Sequence, residues 1–205
     1  MIKANHHWLY TRFFDWYVPF IMKKDFREIH LEGEWQKSNK ASLIIGNHIS
    51  WWDGFWALYL NNRLLHKRFH AMMLEEQLAP RKFLNKAGAF SIDPGSRSVI
   101  ESINYCAQLL SDSNNCVTLY PQGKIASVTS PVFNFEKGVE KILAKSDPIQ
   151  ILLYVAFIDY FSDRKPGLYL YISEIEYFKY SSAELGEKYK QFYNESKNKQ
   201  ALLTR

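Results

Sequence analysis

The segment Ile45-Gly46-Asn47-His48-Ile49-Ser50-Trp51-Trp52-Asp53-Gly54 holds residue types at a spacing that can do acid–base chemistry. A carboxylate five residues after a histidine can reach one imidazole nitrogen through a single loop turn. It then holds the ring in one tautomer and stabilises the imidazolium formed when the other nitrogen takes a proton. A base of this kind contributes about 10²–10⁴ in rate. No G-x-S-x-G sequence is present, and Ser50 stands only two residues from His48. A base without a nucleophile of its own implies that the substrate supplies one, for example an alcohol. Taken alone the spacing is weak, because a two-letter pattern recurs by chance and a histidine near a strand end is more often structural.

The elements that must position the pair can be read around it. Ala41–Gly46, with Leu43, Ile44 and Ile45 in succession, reads as a buried strand of a parallel sheet. His48 follows its carboxyl end, where ligands and chemistry collect in open α/β sheets. Trp52–Leu65 reads as the helix that follows. Further strands are expected at Leu31–Trp35, Phe69–Leu74, Phe90–Ile92, Cys116–Tyr120, Ile149–Ile158 and, with alternating burial, Leu168–Ile175. Glu75–Lys86 reads as helix or turn. Ser96 is placed to cap a helix running to Leu110, with Ser98 and Glu101 as a second capping pair. Gly138–Lys145 reads as a short helix, and Ser181-Ser182-Ala183-Glu184 as the capping box of a polar C-terminal helix. Strands alternating with helices argue for an α/β layered domain. No repeat or linker divides the 205 residues, a length that suits one domain.

Residues 8–22 place Leu9, Phe13, Trp16, Tyr17, Phe20 and Ile21 at helical spacing on one face, with Lys23, Lys24 and Arg27 after them. Aromatics with basic flanks describe an amphipathic helix at a membrane interface. An aromatic share of 16% and a net charge of +5 agree with an anionic surface or a phosphorylated partner. No apolar run reaches the roughly 18 residues of a spanning helix, and no signal peptide is visible at Met1–His7. Cys106 and Cys116 have no zinc-ligand spacing, and neither a metal nor a disulfide framework is expected. His66 and His70, at i and i+4, do not form H-E-x-x-H. The basic groups Arg63, Lys67, Arg68 and Arg81, Lys82, Lys86 read as solvated faces, or as contacts for anionic lipid, the phosphates of coenzyme A or an acidic carrier protein. Basic residues do not interleave with aromatics on a strand platform, so nucleic acid is not an expected partner.

Four blocks in order carry a family resemblance. Asn47-His48-Ile49-Ser50-Trp51-Trp52-Asp53 matches N-H-x₄-D. Gly88-Ala89-Phe90-Ser91-Ile92-Asp93 is similar to a second block, Tyr120-Pro121-Gln122-Gly123 to a third that is usually aromatic-Pro-Glu-Gly, and Phe135-Glu136-Lys137-Gly138 to the Phe-Lys-x-Gly stretch after it. Ile151–Phe157 takes the place of the final apolar strand. Over residues 30–160 the sequence resembles the glycerolipid acyltransferases of the lysophosphatidate (1-acylglycerol-3-phosphate) type.

The resemblance implies a mixed, largely parallel sheet flanked by helices. It implies an interfacial helical segment over 1–28, a catalytic core over 29–160, and a C-terminal strand and helix over 161–205. It assigns His48 as general base and Asp53 as its orienter. Asn47, Asp93, Arg97, Gln122, Gly123 and Lys124 become the substrate-binding candidates. The implied reaction moves an acyl group from acyl-CoA or acyl-carrier protein to a lyso-lipid hydroxyl, with no cofactor, at the cytoplasmic face of a membrane. A thioesterase or hydrolase using water with the same pair is the alternative, and a non-catalytic membrane- or nucleic-acid-binding module the other. Several residues depart from the pattern: Asp93 is followed by Pro94 rather than Arg, Gln122-Gly123-Lys124-Ile125 replaces Glu-Gly-Thr-Arg, and Leu153-Tyr154-Val155 replaces Val-Pro-Val. The family uses those arginines for an acceptor phosphate. Lys124 supplies only a point charge, and Arg97 is the nearest substitute for the second-block arginine.

Overall fold

A computed structural model of the chain describes residues 1–129 and 131–204. The elements run in chain order as α1 (Trp8–Asp25), β1 (Ile29–Glu34), β2 (Ser42–Gly46), α2 (Asp53–Leu60), β3 (Arg68–Leu74), the short helices α3 (Glu75–Leu78) and α4 (Lys82–Asn85), β4 (Ala89–Ile92), α5 (Val99–Leu109), β5 (Asn115–Leu119), α6 (Gly138–Lys145), β6 (Gln150–Asp159), β7 (Gly167–Ile175) and α7 (Ser182–Ala201). The strands form one seven-stranded sheet in the order β1-β7-β6-β2-β5-β3-β4. Every neighbouring pair is parallel except β6–β7. The expected α/β class with a mixed, largely parallel sheet and an N-terminal helix is the observed one.

Helices cover both faces of the sheet, and this is why β2 is apolar without alternation. All five of its residues are buried. Leu43 and Ile45 join Ile151, Leu153 and Val155 in a core shared with α5, α6 and α7. Ile44 joins Leu152 and Tyr154 in a second core shared with α1 and α2. Each such side chain stabilises the fold by about 1.5–3 kcal/mol. β7 departs from the alternation expected of it: its first six residues are all buried. Leu168, Leu170 and Ile172 enter the second core, and on the other face the Tyr171 hydroxyl meets Gln200 of α7 at 2.9 Å.

Two helix ends correct the sequence reading and one agrees with it. α5 begins at Val99, and the Ser98 side chain makes no cap. The Ser96 hydroxyl instead accepts from Ser98 N at 3.1 Å, within a turn that leads into the helix. α2 ends at Leu60 and continues to Leu65 as a π-helical turn, closed by His66 at φ 54°. The capping box of α7 is present: Ser181 Oγ accepts from Glu184 N at 3.2 Å, and Glu184 Oε2 from Ser181 N at 2.8 Å.

The helix α1 is apolar on both sides. Phe14, Val18 and Met22, four residues apart, are its buried stripe. Leu9, Phe13, Trp16 and Phe20, read from the sequence as one face, are exposed, whereas Tyr17 and Ile21 are partly covered. Pro19 lies inside the helix without ending it, and Asp15 accepts from Asn62 Nδ2 at 2.8 Å, tying α1 to the π turn. Among the described residues no helix is long and apolar enough to cross a membrane.

Residues 2–7 lie along the β4 edge of the sheet. Ile2 and Ser91 bond to each other, and Asn5 N and His7 N donate to Asn85 O and Lys86 O. His6 Nδ1 accepts from Arg68 Nε at 3.2 Å, so its Nε2–H donates to Phe69 O at 2.8 Å. Its ring meets His70 edge to face at 4.7 Å. His70 is 2% exposed, its Nε2 bonds Asn115 Oδ1 at 3.2 Å, and its Nδ1 has no partner. Burial first, then the neighbouring His6, push the His70 pKa down to about 4.

A pH dependence of stability follows. The unfolded chain takes up this proton near pH 6.5, the folded chain only near pH 4. The stability is therefore fully present above about pH 6.5 and is lost as pH falls toward about 4. Between pH 7.5 and 5 the loss from this residue is about 2 kcal/mol. Urea unfolding at the two pH values is expected to show it, and His70→Leu is expected to flatten it. An equal pH slope in the variant would assign the proton to another group.

Candidate active site

The chain leaves β2 at Gly46 because Tyr154, its register partner on β6, occupies the space a side chain there would need. A Cβ at Gly46 would overlap the Tyr154 ring. Asn47 then locks the exit of the strand. Its Oδ1 accepts from Ala156 N at 2.8 Å and its Nδ2 donates to Ala156 O at 3.0 Å. His48 comes next, held by its backbone. His48 N donates to Gln122 Oε1 at 2.8 Å, and Ala126 N donates to His48 O at 2.8 Å. The strand exit and the loop after β5 thus grip the same residue.

Asp53, the first residue of α2, is fully buried, and its Oδ2 collects three donors. These are His48 Nδ1 at 2.9 Å, Ile49 N at 2.7 Å and Ser50 N at 3.0 Å. Burial pushes the Asp53 carboxyl above the usual range, and the bonds from His48, Ser50 and Ile49 pull it back. Geometry decides between the two forms. A proton on Oδ1 would have no acceptor, since that oxygen has no partner. Hydrogen bonds to a charged group contribute about 1.5–3 kcal/mol each, and three of them offset a desolvation cost of several kcal/mol. The carboxylate is the form that fits.

With Nδ1–H directed at Asp53, His48 Nε2 is left as the lone-pair nitrogen. The imidazole is 25% exposed, and Nε2 bonds to no described residue while remaining open to solvent. Ser50 Oγ accepts from Trp52 N at 3.1 Å and is not bonded to the imidazole. The pair can therefore take a proton from a group arriving from outside and return it.

The remaining sequence candidates fall into two sets. Gln122 and Gly123 stand beside His48 on the loop after β5. Gly123 adopts φ +72°, which favours glycine, and a side chain there would press against Glu136. Its N–H donates to Tyr120 O at 3.0 Å, and Lys124 beside it is exposed. Asp93 and Arg97 follow β4, three strands from β2 or about 14 Å across the sheet. Asp93 bonds locally, its Oδ1 accepting from Gly95 N at 3.2 Å, and Arg97 is exposed. The structure gathers Asn47, His48, Asp53, Gln122, Gly123 and Lys124, and leaves Asp93 and Arg97 to one side.

Three contributors were not picked out as site residues from the sequence. The Tyr120 ring stacks on the His48 imidazole at 4.6 Å and 19°. Tyr154 lies beneath Asp53, its hydroxyl donating to Asp53 O at 3.3 Å. Glu136 stands beside Gly123, and both are exposed. The sequence signals were the aromatic position of the third block, the Phe135-Glu136-Lys137-Gly138 stretch and the tyrosine in place of proline in the last block.

The surroundings of the site are apolar and partly open. Trp51 and Trp52 are each more than one-third exposed, and both contact Phe55. Phe55 stacks on Phe14 of α1, which stacks on the exposed Phe83. Arg81 stands over the Trp51 ring at 5.8 Å. Of the other basic group, Arg63 and Arg68 are exposed and Lys67 is partly buried. Lys67 Nζ donates to the carbonyls of Ser38, Lys40 and Ser113, and Arg68 to His6.

Comparison with known proteins gives this geometry a context. No curated protein sequence matches the chain. Among solved structures it is similar to the crystal structure of the 1-acyl-sn-glycerophosphate (LPA) acyltransferase PlsC from Thermotoga maritima. The TM-score is 0.65 and the identity 13%, over 95% of this chain and 81% of that one. That likeness is one of fold. The family model described as Acyltransferase matches residues 28–155, a span that contains every residue gathered around His48. That match takes in more than half of the sequence, and the chain belongs to the acyltransferase family.

Proposed function

We propose that the protein moves a fatty acyl group from acyl-CoA or acyl-carrier protein to the hydroxyl of a lyso-lipid or related lipid alcohol. The observation that carries this is the His48 imidazole with Nδ1 on Asp53 and Nε2 open, with no protein hydroxyl bonded to it. Nε2 takes the proton of the acceptor hydroxyl as its oxygen attacks the thioester carbonyl. The tetrahedral intermediate collapses with loss of the thiolate, which receives the proton from the imidazolium. The N–H groups of Lys124 and Ile125 bond to no described residue and are unspent donors for the developing oxyanion.

The acceptor head is a second part of the proposal. A carboxylate, Glu136, stands beside the exposed Gly123, and Lys124 offers a point charge where a bidentate arginine would serve a phosphate. This favours a lipid alcohol or lyso-aminolipid over lysophosphatidate. The site meets its lipid at the cytoplasmic surface of a membrane. The exposed Leu9, Phe13, Trp16 and Phe20 of α1 lead through Phe14 and Phe55 to Trp51 and Trp52 at the site, and Lys23 and Lys24 flank the helix.

The test is transfer from labelled acyl-CoA and acyl-carrier protein to lyso-lipids and lipid alcohols carried in anionic vesicles, with which the protein should co-sediment. Transfer to at least one hydroxyl acceptor is expected. Exclusive use of lysophosphatidate would overturn the acceptor assignment. Acyl release with no acceptor required would point to hydrolysis.

A further inference from the structure

We infer that Tyr120 and Tyr154 form a brace that positions the His48–Asp53 pair, with the Tyr120 ring holding the imidazole face and the Tyr154 hydroxyl holding the backbone of Asp53. The inference rests on the proposed acyl transfer. It adds two positioning residues from opposite sides of β2. Tyr120 follows β5 and Tyr154 lies on β6, and β2 is hydrogen-bonded to both strands.

The direction of the brace follows from counting protons. Each phenol has one. Tyr154 gives its proton to Asp53 O at 3.3 Å. In the 2.9 Å bond between the two hydroxyls, Tyr120 is then the donor. Burial pushes both phenols well above their usual range, so both remain donors throughout the pH range of an assay. The chain runs Tyr120 O–H to Tyr154 O–H to Asp53 O, and the Tyr120 ring closes it by stacking on His48 at 4.6 Å. Tyr154 is itself held: its carbonyl accepts from the Tyr189 hydroxyl at 2.7 Å, and its ring lies in the space left by Gly46.

This arrangement has two effects on the base. The flat contact removes the rotation that would otherwise swing Nε2 away from an acceptor, since Nδ1 alone is a single pivot on Asp53. The negative face of the ring also lies against the imidazole when it is protonated, and so favours the charged form that arises during transfer. Neither effect touches substrate, and both therefore belong in kcat and not in KM.

The experiment compares kcat and KM for wild type, Tyr120→Leu, Tyr120→Phe, Tyr154→Phe and the double phenylalanine variant, with the His48 Cε1–H signal observed by NMR in each. Tyr120→Leu is expected to lose roughly 5- to 30-fold in kcat with KM unchanged. The ring-current shift of the His48 signal should vanish with it. Tyr120→Phe keeps the stack and the shifted signal, and is expected to lose only about 2- to 5-fold. The double variant should be no slower than Tyr154→Phe alone, because both remove the same bond. A folded Tyr120→Leu with wild-type kcat would overturn the inference, as would independent, multiplying losses in the double variant. If Tyr120→Leu does not fold, the phenylalanine series decides. If wild type transfers to no acceptor, the acyl-transfer reading fails on its own, and the His48 signal still decides whether Tyr120 places the ring.

Discussion

Replacing His48 by alanine is expected to lower kcat for acyl transfer by about 10²–10⁴, with little change in the affinity for acceptor or donor. The reason lies in the open nitrogen. Nε2 is the one ring atom with no protein partner, and the only nearby hydroxyl on the loop, Ser50, is occupied by Trp52 N. No other described side chain bonded into the site can serve as base. Asp53 is enclosed by three donors on Oδ2. The imidazole is 25% exposed, so its loss opens no large cavity and the melting temperature should move little. His48→Gln, which keeps volume and a donor, should be as inactive as the alanine variant. Steady-state kinetics with the best acceptor from the panel checks this. A His48→Ala protein within twofold of wild type would leave His48 with a structural role and place the base elsewhere.

Asp53→Asn should lower kcat by about 10²–10³ while leaving KM and the fold in place. The amide is isosteric, and its oxygen can still accept from Ile49 N and Ser50 N, which hold the loop. What it lacks is the charge opposite His48 Nδ1. The imidazolium formed as the acceptor loses its proton then has no counter-ion on its Nδ1 side, where Asp53 is fully buried. The amide nitrogen stays on the Oδ1 side, because His48 Nδ1 shares Oδ2 with the Ile49 and Ser50 N–H groups, so the tautomer is kept and only the charge is lost. A loss of activity could come from a disturbed loop, so a second reading is needed. The ¹⁵N shifts of His48 should show the wild-type tautomer in the variant while its melting temperature stays within a few degrees. A variant with wild-type kcat would show that the carboxylate supports the loop only. One with a collapsed melting temperature would show that the three donors, not the charge, were its main contribution.

These two expectations rest on residues that the sequence displays openly. His48 and Asp53 lie five positions apart, so the loop that joins them is local in sequence. The strand before them was also legible, because a stretch buried on both faces must be apolar throughout. So was α7, whose capping box is a four-residue matter. Boundaries were less legible. α5 starts after Ser98 because the Ser96 hydroxyl accepts from Ser98 N in the turn before the helix, and nothing local distinguishes that use from a cap.

What the sequence by itself determined was the class of fold, the His48–Asp53 spacing and the family pattern, since each is written in short runs governed by local periodicity and spacing. Only the tertiary structure decided which face of α1 is covered. Both faces are apolar, and the choice depends on where Phe55 and the second core lie. It also decided that Asp93 and Arg97 stand three strands from His48 while Gln122 and Gly123 stand beside it, because strand order is not written along the chain. Finally, it set Tyr120 against the imidazole and Tyr154 beneath Asp53. Those contacts join residues 72 and 101 positions apart, through a gap that the missing side chain of Gly46 leaves open. Cross-strand packing of this kind depends on register, and register is a property of the assembled sheet.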